Sequence, residues 1–253
     1  MRNVARWRAH RYLGLVILLV APTATSGQIP EKFQNLKVLP ANISRDSLVQ
    51  LMRSFSFATG LRCEDCHVLG ENNAFEGARF HLDDKPNKRK ARFMLEMVNK
   101  INQDLRAGLP ERDSLTLAVE CKSCHRGNVK PFLLRTELHR IVNTEGIPAA
   151  VARYRLLRER ATLIGAYDFR EWEMNELARQ LTAEGKLAAA IAMLVLNEEF
   201  YANSPSIPAL LGTLYERENR KDDAIAAYRR ALERNPNDRA SRARLDALSR
   251  GSP

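Results

Sequence analysis

The chain has 253 residues, a formal net charge of +10 and 28% charged residues, a length that suits two domains of ordinary size. Ala, Leu, Arg and Glu dominate and no clear alternating apolar run occurs, so the sequence predicts an all-α fold. Residues 31–140 contain 19 Lys and Arg against 14 Asp and Glu, whereas residues 141–253 contain 17 against 16. This mixture of charges argues against a nucleic-acid partner and fits an anionic cofactor or an acidic redox protein better.

The first 26 residues have the layout of a secretory signal peptide. Four arginines precede a short apolar run from Leu13 to Val20, and the small residues up to Ser26 suit a processing site. An uncleaved membrane anchor is the alternative, but a span needs about 20 apolar residues and this run has roughly half of that number. We therefore predict cleavage near Ser26, export to the periplasm, and membrane association that is at most peripheral.

The next predicted element is a helix within ISRDSLVQLMRSFSFATG, with Ser44 as its N-cap and Gly60 just after its end. Its apolar stripe places Met52 inward. A second helix is predicted for KPNKRKARFMLEMVNKINQDLRAG, beginning near Pro86 and ending near Gly108. The apolar stripe of that helix consists of Met94, Val98, Ile101 and Leu105, with Met97 about 60° to one side.

Two C-x-x-C-H units, LRCEDCH and VECKSCH, follow each other at a distance of 58 residues and use all four cysteines. This pattern is the attachment signature of c-type haem. Positions i, i+3 and i+4 of a helix share a face, so each unit directs two thiols and one imidazole at a single porphyrin. The residues are Cys63, Cys66 and His67 in the first unit, and Cys121, Cys124 and His125 in the second.

Other roles for the four cysteines fit less well. A zinc ribbon would have its two pairs closer together and would leave both histidines unused. A thioredoxin-like C-x-x-C pair needs a β-α-β context, which the sequence lacks. Structural disulfides are compatible with an exported protein but give no reason for a histidine after each pair. The sequence therefore predicts two covalently attached haems, each with iron bound by a histidine.

The same segments resemble the cytochrome c subunit of photosynthetic reaction centres. The similarity covers roughly residues 33–130 and is carried by the first helix with its C-x-x-C-H unit, by the MLEM helix, and by CKSCHRG. In that family a methionine on the helix that precedes each haem motif is the second axial ligand of its iron. The resemblance implies that Met52 pairs with His67, and that Met94 pairs with His125. That family carries four haems, whereas this chain has two C-x-x-C-H units.

The remaining polar residues of this region have less specific expectations. A basic run opens the second helix, and we interpret it as a solvated face, with contact to haem propionates or to an acidic partner as the alternative. The run consists of Lys85, Lys88, Arg89, Lys90 and Arg92. Arg126 is a further propionate candidate, while His81 and His139 are expected to be surface residues.

The C-terminal part has the period of tetratricopeptide repeats, a family that it resembles most closely at residues 205–238. A more degenerate copy lies 34 positions earlier, a further helix is predicted for residues 148–164, and residues 238–249 suit a capping helix. Stacked helix pairs present a groove for a protein partner, but two readable repeats are fewer than a stable array needs, so self-association or packing on the haem region stays open.

Together these predictions describe an exported dihaem cytochrome c that transfers single electrons between redox partner proteins. The predicted domains are a signal peptide (1–26), a dihaem domain (31–140), a linking helix (141–164) and a repeat domain (165–253). With both irons bound on two sides, catalysis is not expected. The alternatives are a dihaem peroxidase, in which one iron loses its methionine, and a haem-containing redox sensor or assembly scaffold.

Overall fold

A computed structural model describes residues 29–30, 32–109, 118–161 and 165–250, so the predicted signal peptide lies outside the described residues. The described ranges contain helices, one 3-10 turn at Glu71–Asn73, and no strand beyond a single bridge between Val68 and Arg79. The all-α prediction is confirmed. The helices are α1 Arg45–Thr59, α2 Cys63–Cys66, α3 Pro86–Gly108, α4 Cys121–His125, α5 Leu134–Thr144, α6 Ile147–Ala161, α7 Glu171–Ala183, α8 Leu187–Phe200, α9 Ser206–Arg217, α10 Lys221–Arg234 and α11 Arg239–Arg250.

The ends of α1 and α3 fall where the sequence predicts them. The Ser44 hydroxyl accepts a hydrogen bond from the Ser47 backbone N–H at 3.2 Å, as an N-cap does. Gly60 follows α1 with φ 75°, a left-handed conformation that costs a residue with a Cβ free energy. Pro86 occupies the first turn of α3, where its missing N–H leaves no hydrogen bond unmade. None of the described helices is both long and apolar enough to cross a membrane.

Helices α5 to α10 share one apolar core. The helices pack as the pairs α5–α6, α7–α8 and α9–α10, with α5 also against α7, α6 against α8, and α11 against α10. In the two repeats that the sequence predicts, the apolar residues Leu177, Leu194, Leu211 and Tyr228 are buried. The α5–α6 pair supplies a third hairpin, so the array reaches the number of repeats that independent stability needs. Residue 140, the predicted end of the dihaem domain, falls within helix α5, and Leu138 of that helix lies in this core.

The helices before α5 pack differently. Helix α1 contacts α4 and helix α2 contacts α3. Among the described residues before Leu134, Ala58 is the one hydrophobic residue that is fully buried, and α3 has no buried residue along its 23 positions. This segment is therefore held together by caps, short loops and ion pairs rather than by a protein core.

The main ion-pair cluster of this segment surrounds Asp83. Its carboxylate accepts hydrogen bonds from Arg92 at 2.7 Å and from Lys37 at 3.0 Å, and lies 3.1 Å from the Lys88 ammonium. The Lys88 ammonium also donates to the Phe80 carbonyl at 2.7 Å. The side chains of Lys88 and Arg92 are only 12% and 16% exposed, so the interpretation of this basic run as a solvated face is wrong for these two residues. These contacts hold the N-terminal segment and the loop before α3 against that helix.

Candidate functional site

The first C-x-x-C-H unit forms a single helical turn, α2, which begins at Cys63. The Asp65 carboxylate accepts a hydrogen bond from the Arg62 backbone N–H at 2.8 Å and so caps the start of the turn. The turn ends at Cys66, and His67 follows in extended backbone while its N–H donates to the Cys63 carbonyl at 2.9 Å. The helical spacing that the sequence predicts therefore applies to both thiols, and the histidine leaves the turn one residue past its end.

The second unit, α4, is helical through its histidine. The Ser123 hydroxyl takes the capping position, where it accepts from the Glu120 backbone N–H at 3.1 Å. His125 is the last helical residue, and Arg126 follows in a left-handed conformation with φ 47°. Both units are thus capped by the second variable residue of the motif, a position that carries an aspartate in one copy and a serine in the other.

The two histidines have different surroundings. The Nδ1 atom of His125 lies 2.9 Å from the Asn128 carbonyl oxygen, and because that oxygen only accepts, Nδ1 carries the proton and donates. The Nε2 atom of His125 is then the basic nitrogen that can bind a metal. The Nδ1 atom of His67 is buried and has no hydrogen-bond partner within the described ranges. Burial lowers the pKa of His67, the cation of Lys88 lowers it further, and the Phe80 carbonyl opposes them in part.

All four thiols are free, and one cysteine of each unit is half-buried while the other is exposed. Burial raises the pKa of the Cys66 thiol, an effect that the neighbouring Asp65 carboxylate increases. Burial also raises the pKa of Cys121. These two thiols are therefore held protonated at neutral pH, and neither of them resembles an activated nucleophile, which needs a lowered pKa.

The two predicted methionine ligands lie on the long helices. Met52 is half-buried on α1, next to Leu51. On α3, Met94 and Met97 are 38% and 41% exposed, so burial does not separate them. The apolar Phe93 is 65% exposed on the same helix. Helix α3 thus presents large apolar side chains that its protein neighbours do not cover.

Two contacts join the units. The Gly127 N–H, just after the second unit, donates to the Ala58 carbonyl near the end of α1 at 2.8 Å. The Asn102 side chain on α3 exchanges two hydrogen bonds with the backbone of Val119, at 2.9 and 2.8 Å, and so fixes the segment that enters α4. Helix α1 precedes the first unit but contacts the second, α4. Helix α3 contacts the first unit, α2, and also holds the segment that enters the second.

The residues present fit a covalently held porphyrin. Each unit offers two accessible thiols one helical turn apart and an imidazole, and His125 has the carbonyl partner that metal-bound histidines usually have. The uncovered apolar side chains of α1 and α3, with Phe57 77% exposed, suit an apolar ring. The Nε atom of Arg126 is buried without a partner among the described residues, as expected for a guanidinium that meets an anionic group of a ligand.

Several functional residues carried too weak a signal in the sequence. Asp65, Ser123 and Asn102 position the two units, and the first two could have been recognised from the capping pattern alone. Of the two histidines expected at the surface, His81 is exposed, while His139 is half-buried and pairs with Glu184 at 2.7 Å. Hydrogen bonds from the Lys186 ammonium and, with a smaller effect, from His139 lower the pKa of Glu184 to about 2.

A helical segment with two C-x-x-C-H turns, joined to stacked helix hairpins, defines a multihaem c-type cytochrome fused to a repeat module. The chain matches the photosynthetic reaction centre cytochrome c subunit family over residues 16–155, more than half of its length, and it belongs to that family. Residues 209–238 match the tetratricopeptide repeat. The comparison with curated proteins gave no match.

Proposed function

We propose that this chain is an exported dihaem cytochrome c that carries single electrons between redox partners. The observation that supports the proposal best is the pair of capped C-x-x-C-H turns, each with two accessible thiols and one imidazole. A haem bound at each unit supplies reversible one-electron chemistry between Fe(III) and Fe(II). The protein residues hold and orient these groups and determine how easily each iron is reduced.

Each unit contributes the same set of roles. The thiols of Cys63 and Cys66 hold the first haem and those of Cys121 and Cys124 hold the second. The imidazoles of His67 and His125 bind the irons from one side. Following the family resemblance, Met52 binds opposite His67 and Met94 binds opposite His125. The hydrogen bond from His125 Nδ1 to the Asn128 carbonyl leaves Nε2 as the metal-binding atom.

The surroundings of the two sites suit an electron carrier. The apolar side chains that α1 and α3 leave uncovered would exclude water from the rings. The Arg126 guanidinium would bind a propionate, because its buried Nε lacks a partner in the described part of the chain. The repeat array from α5 to α11 is proposed to recognise a protein partner, as stacked hairpins do.

Mass spectrometry of the purified holoprotein tests the proposal. The intact chain should carry the mass of two haems, and it should begin after Ser26. The variant Cys63→Ser/Cys66→Ser and the matched variant Cys121→Ser/Cys124→Ser should each lose one haem. A chain that carries no haem, or two haems in either double variant, would contradict the proposed attachment.

A dihaem peroxidase is the second candidate, because the Met94 and Met97 side chains are more exposed than Met52. A high-spin iron at one site, together with turnover of peroxide, would support it. A wholly low-spin spectrum without turnover would argue for the electron carrier.

A further inference from the structure

The two metal-binding histidines differ in the hydrogen bond at their second ring nitrogen. His125 donates from Nδ1 to the Asn128 carbonyl at 2.9 Å. His67 has a buried Nδ1 that makes no hydrogen bond of good geometry among the described residues. The Phe80 carbonyl interacts with the His67 ring, but not as a well-aligned acceptor at that nitrogen. The difference arises from the backbone, because His125 ends a helical turn and the following residues fold back, with the Asn128 N–H donating to the His125 carbonyl at 2.8 Å. His67 instead continues into extended backbone.

This hydrogen bond changes the ligand. A carbonyl that accepts from Nδ1–H draws the proton away from the ring and makes Nε2 a stronger electron donor. A stronger donor stabilises ferric iron more than ferrous iron, and so lowers the reduction potential of that centre. The His125 site should therefore be harder to reduce than the His67 site.

The charges near His67 also make the His67 site easier to reduce than the His125 site. Three cations, Lys37, Lys88 and Arg92, surround the one carboxylate of Asp83, so this cluster has an excess of positive charge. Lys88 and Arg92 interact electrostatically with the His67 ring, and their low exposure limits screening by solvent. Nearby positive charge favours Fe(II) over Fe(III), because Fe(II) carries one positive charge fewer. At the second unit the cations are Lys122 within α4 and Arg126 just after it, and the proposed propionate contact would balance Arg126. Each unit also has one carboxylate that acts on its cysteines, Asp65 in the first and Glu120 in the second, so these two charges do not distinguish the sites.

From these two differences we propose that the haem at His125 has the lower reduction potential and the haem at His67 the higher one. Electrons would then enter at the second C-x-x-C-H unit and move to the first, so the pair would have a fixed direction. This inference rests on the proposed function, since it needs a haem at each unit.

Redox titration of chains that hold one haem each gives the order of the two potentials. The Cys63→Ser/Cys66→Ser variant reports the His125 site, and the Cys121→Ser/Cys124→Ser variant reports the His67 site. The His125 site should be reduced at the lower potential. If either variant fails to fold, the two-haem protein replaces it. A bound histidine gives a lower potential than a bound methionine, so Met94→His should lower the lower-potential step and Met52→His the higher-potential step.

A second measurement follows the hydrogen bond itself. In the reduced protein, the His125 Nδ1–H proton should exchange with solvent much more slowly than that of His67, as observed by proton NMR. Equal potentials, the opposite order, or equal protection of both protons would overturn the inference while leaving two haems in place. A starting protein without haem, or a folded double variant that has lost both haems, would instead refute the proposed attachment on which the inference depends.

Discussion

The contact between the two units depends on a glycine, which makes it testable by one substitution. Gly60 has φ 75°, and a Cβ built on it would lie 2.8 Å from the Gly127 carbonyl oxygen, which is backbone and cannot rotate away. The left-handed conformation costs an alanine about 1–2 kcal/mol, and overpacking costs about 1–3 kcal/mol. The reduced entropy of the unfolded chain returns about 0.4–1 kcal/mol. Gly60→Ala should therefore destabilise the protein by about 1.5–4 kcal/mol on these principles.

Gly77→Ala is the matched control for this substitution. Gly77 has a similar φ of 72°, but its nearest neighbour would be 3.9 Å from the new Cβ. The two variants share the conformational cost, so the difference between them isolates the contact with Gly127, and it should be about 1–3 kcal/mol. Guanidinium unfolding followed by haem absorbance and circular dichroism measures both free energies of unfolding. Equal losses of stability would refute the claim that this contact supports the second unit.

Three further predictions concern the repeat array. Arg135→Met should cost about 3–5 kcal/mol, because it leaves the Glu173 carboxylate, which is 1% exposed, without its cation; a loss below 1 kcal/mol in thermal unfolding would contradict this. Gly212→Ala should destabilise the array, because its Cβ would lie 2.6 Å from the Tyr228 ring. The cost of overpacking, about 1–3 kcal/mol, exceeds the gain in helix propensity of about 1 kcal/mol. Combining Gly212→Ala with Tyr228→Leu should recover stability. Glu184 has a pKa lowered from 4.5 to about 2, so its contribution is complete above pH 4.5 and disappears as the pH falls toward 2; Glu184→Gln should flatten this acid-induced loss in a pH series of unfolding curves.

The parts of the structure that local chemistry determines were predictable. Ser44, Gly60 and Pro86 mark helix ends through caps that involve only their near neighbours, and α1 and α3 begin and end as those residues predict. The helix pairs of the tail were predictable because their apolar positions recur with a fixed period. Residues 134–144 do not follow that period closely enough, so α6 could be predicted but not the α5 that completes the third hairpin.

Contacts between distant segments of the chain could not be predicted in the same way. Asp83 and Lys37 are 46 positions apart, and no short pattern indicates that they meet. The ion pairs of Lys88 and Arg92 were missed for this reason, since a basic run in isolation is typical of a solvated surface. The histidines show the same limit, because the partner of His125 is a backbone carbonyl whose position depends on the turn and not on the identity of Asn128.

The residues of the candidate site that belong to the C-x-x-C-H motif were predictable from the sequence. The thiols and imidazoles follow from C-x-x-C-H itself, while the methionine ligands follow from the family resemblance. The exposed fractions of Met94 and Met97, 38% and 41%, do not distinguish between them, because the side chains of α3 face away from its protein neighbours there. Assignment of the axial ligands therefore remains a prediction.

The absorption spectrum of the oxidised holoprotein tests the central claim most directly. Ferric haem with a methionine ligand has a weak near-infrared band from sulfur-to-iron charge transfer, and both haems should contribute to it. Met52→Ala and Met94→Ala should each remove part of the band, while Met97→Ala, as the control on the same helix, should leave it unchanged. A band that is absent from the starting protein, together with a high-spin signal, would contradict His/Met ligation and favour the peroxidase.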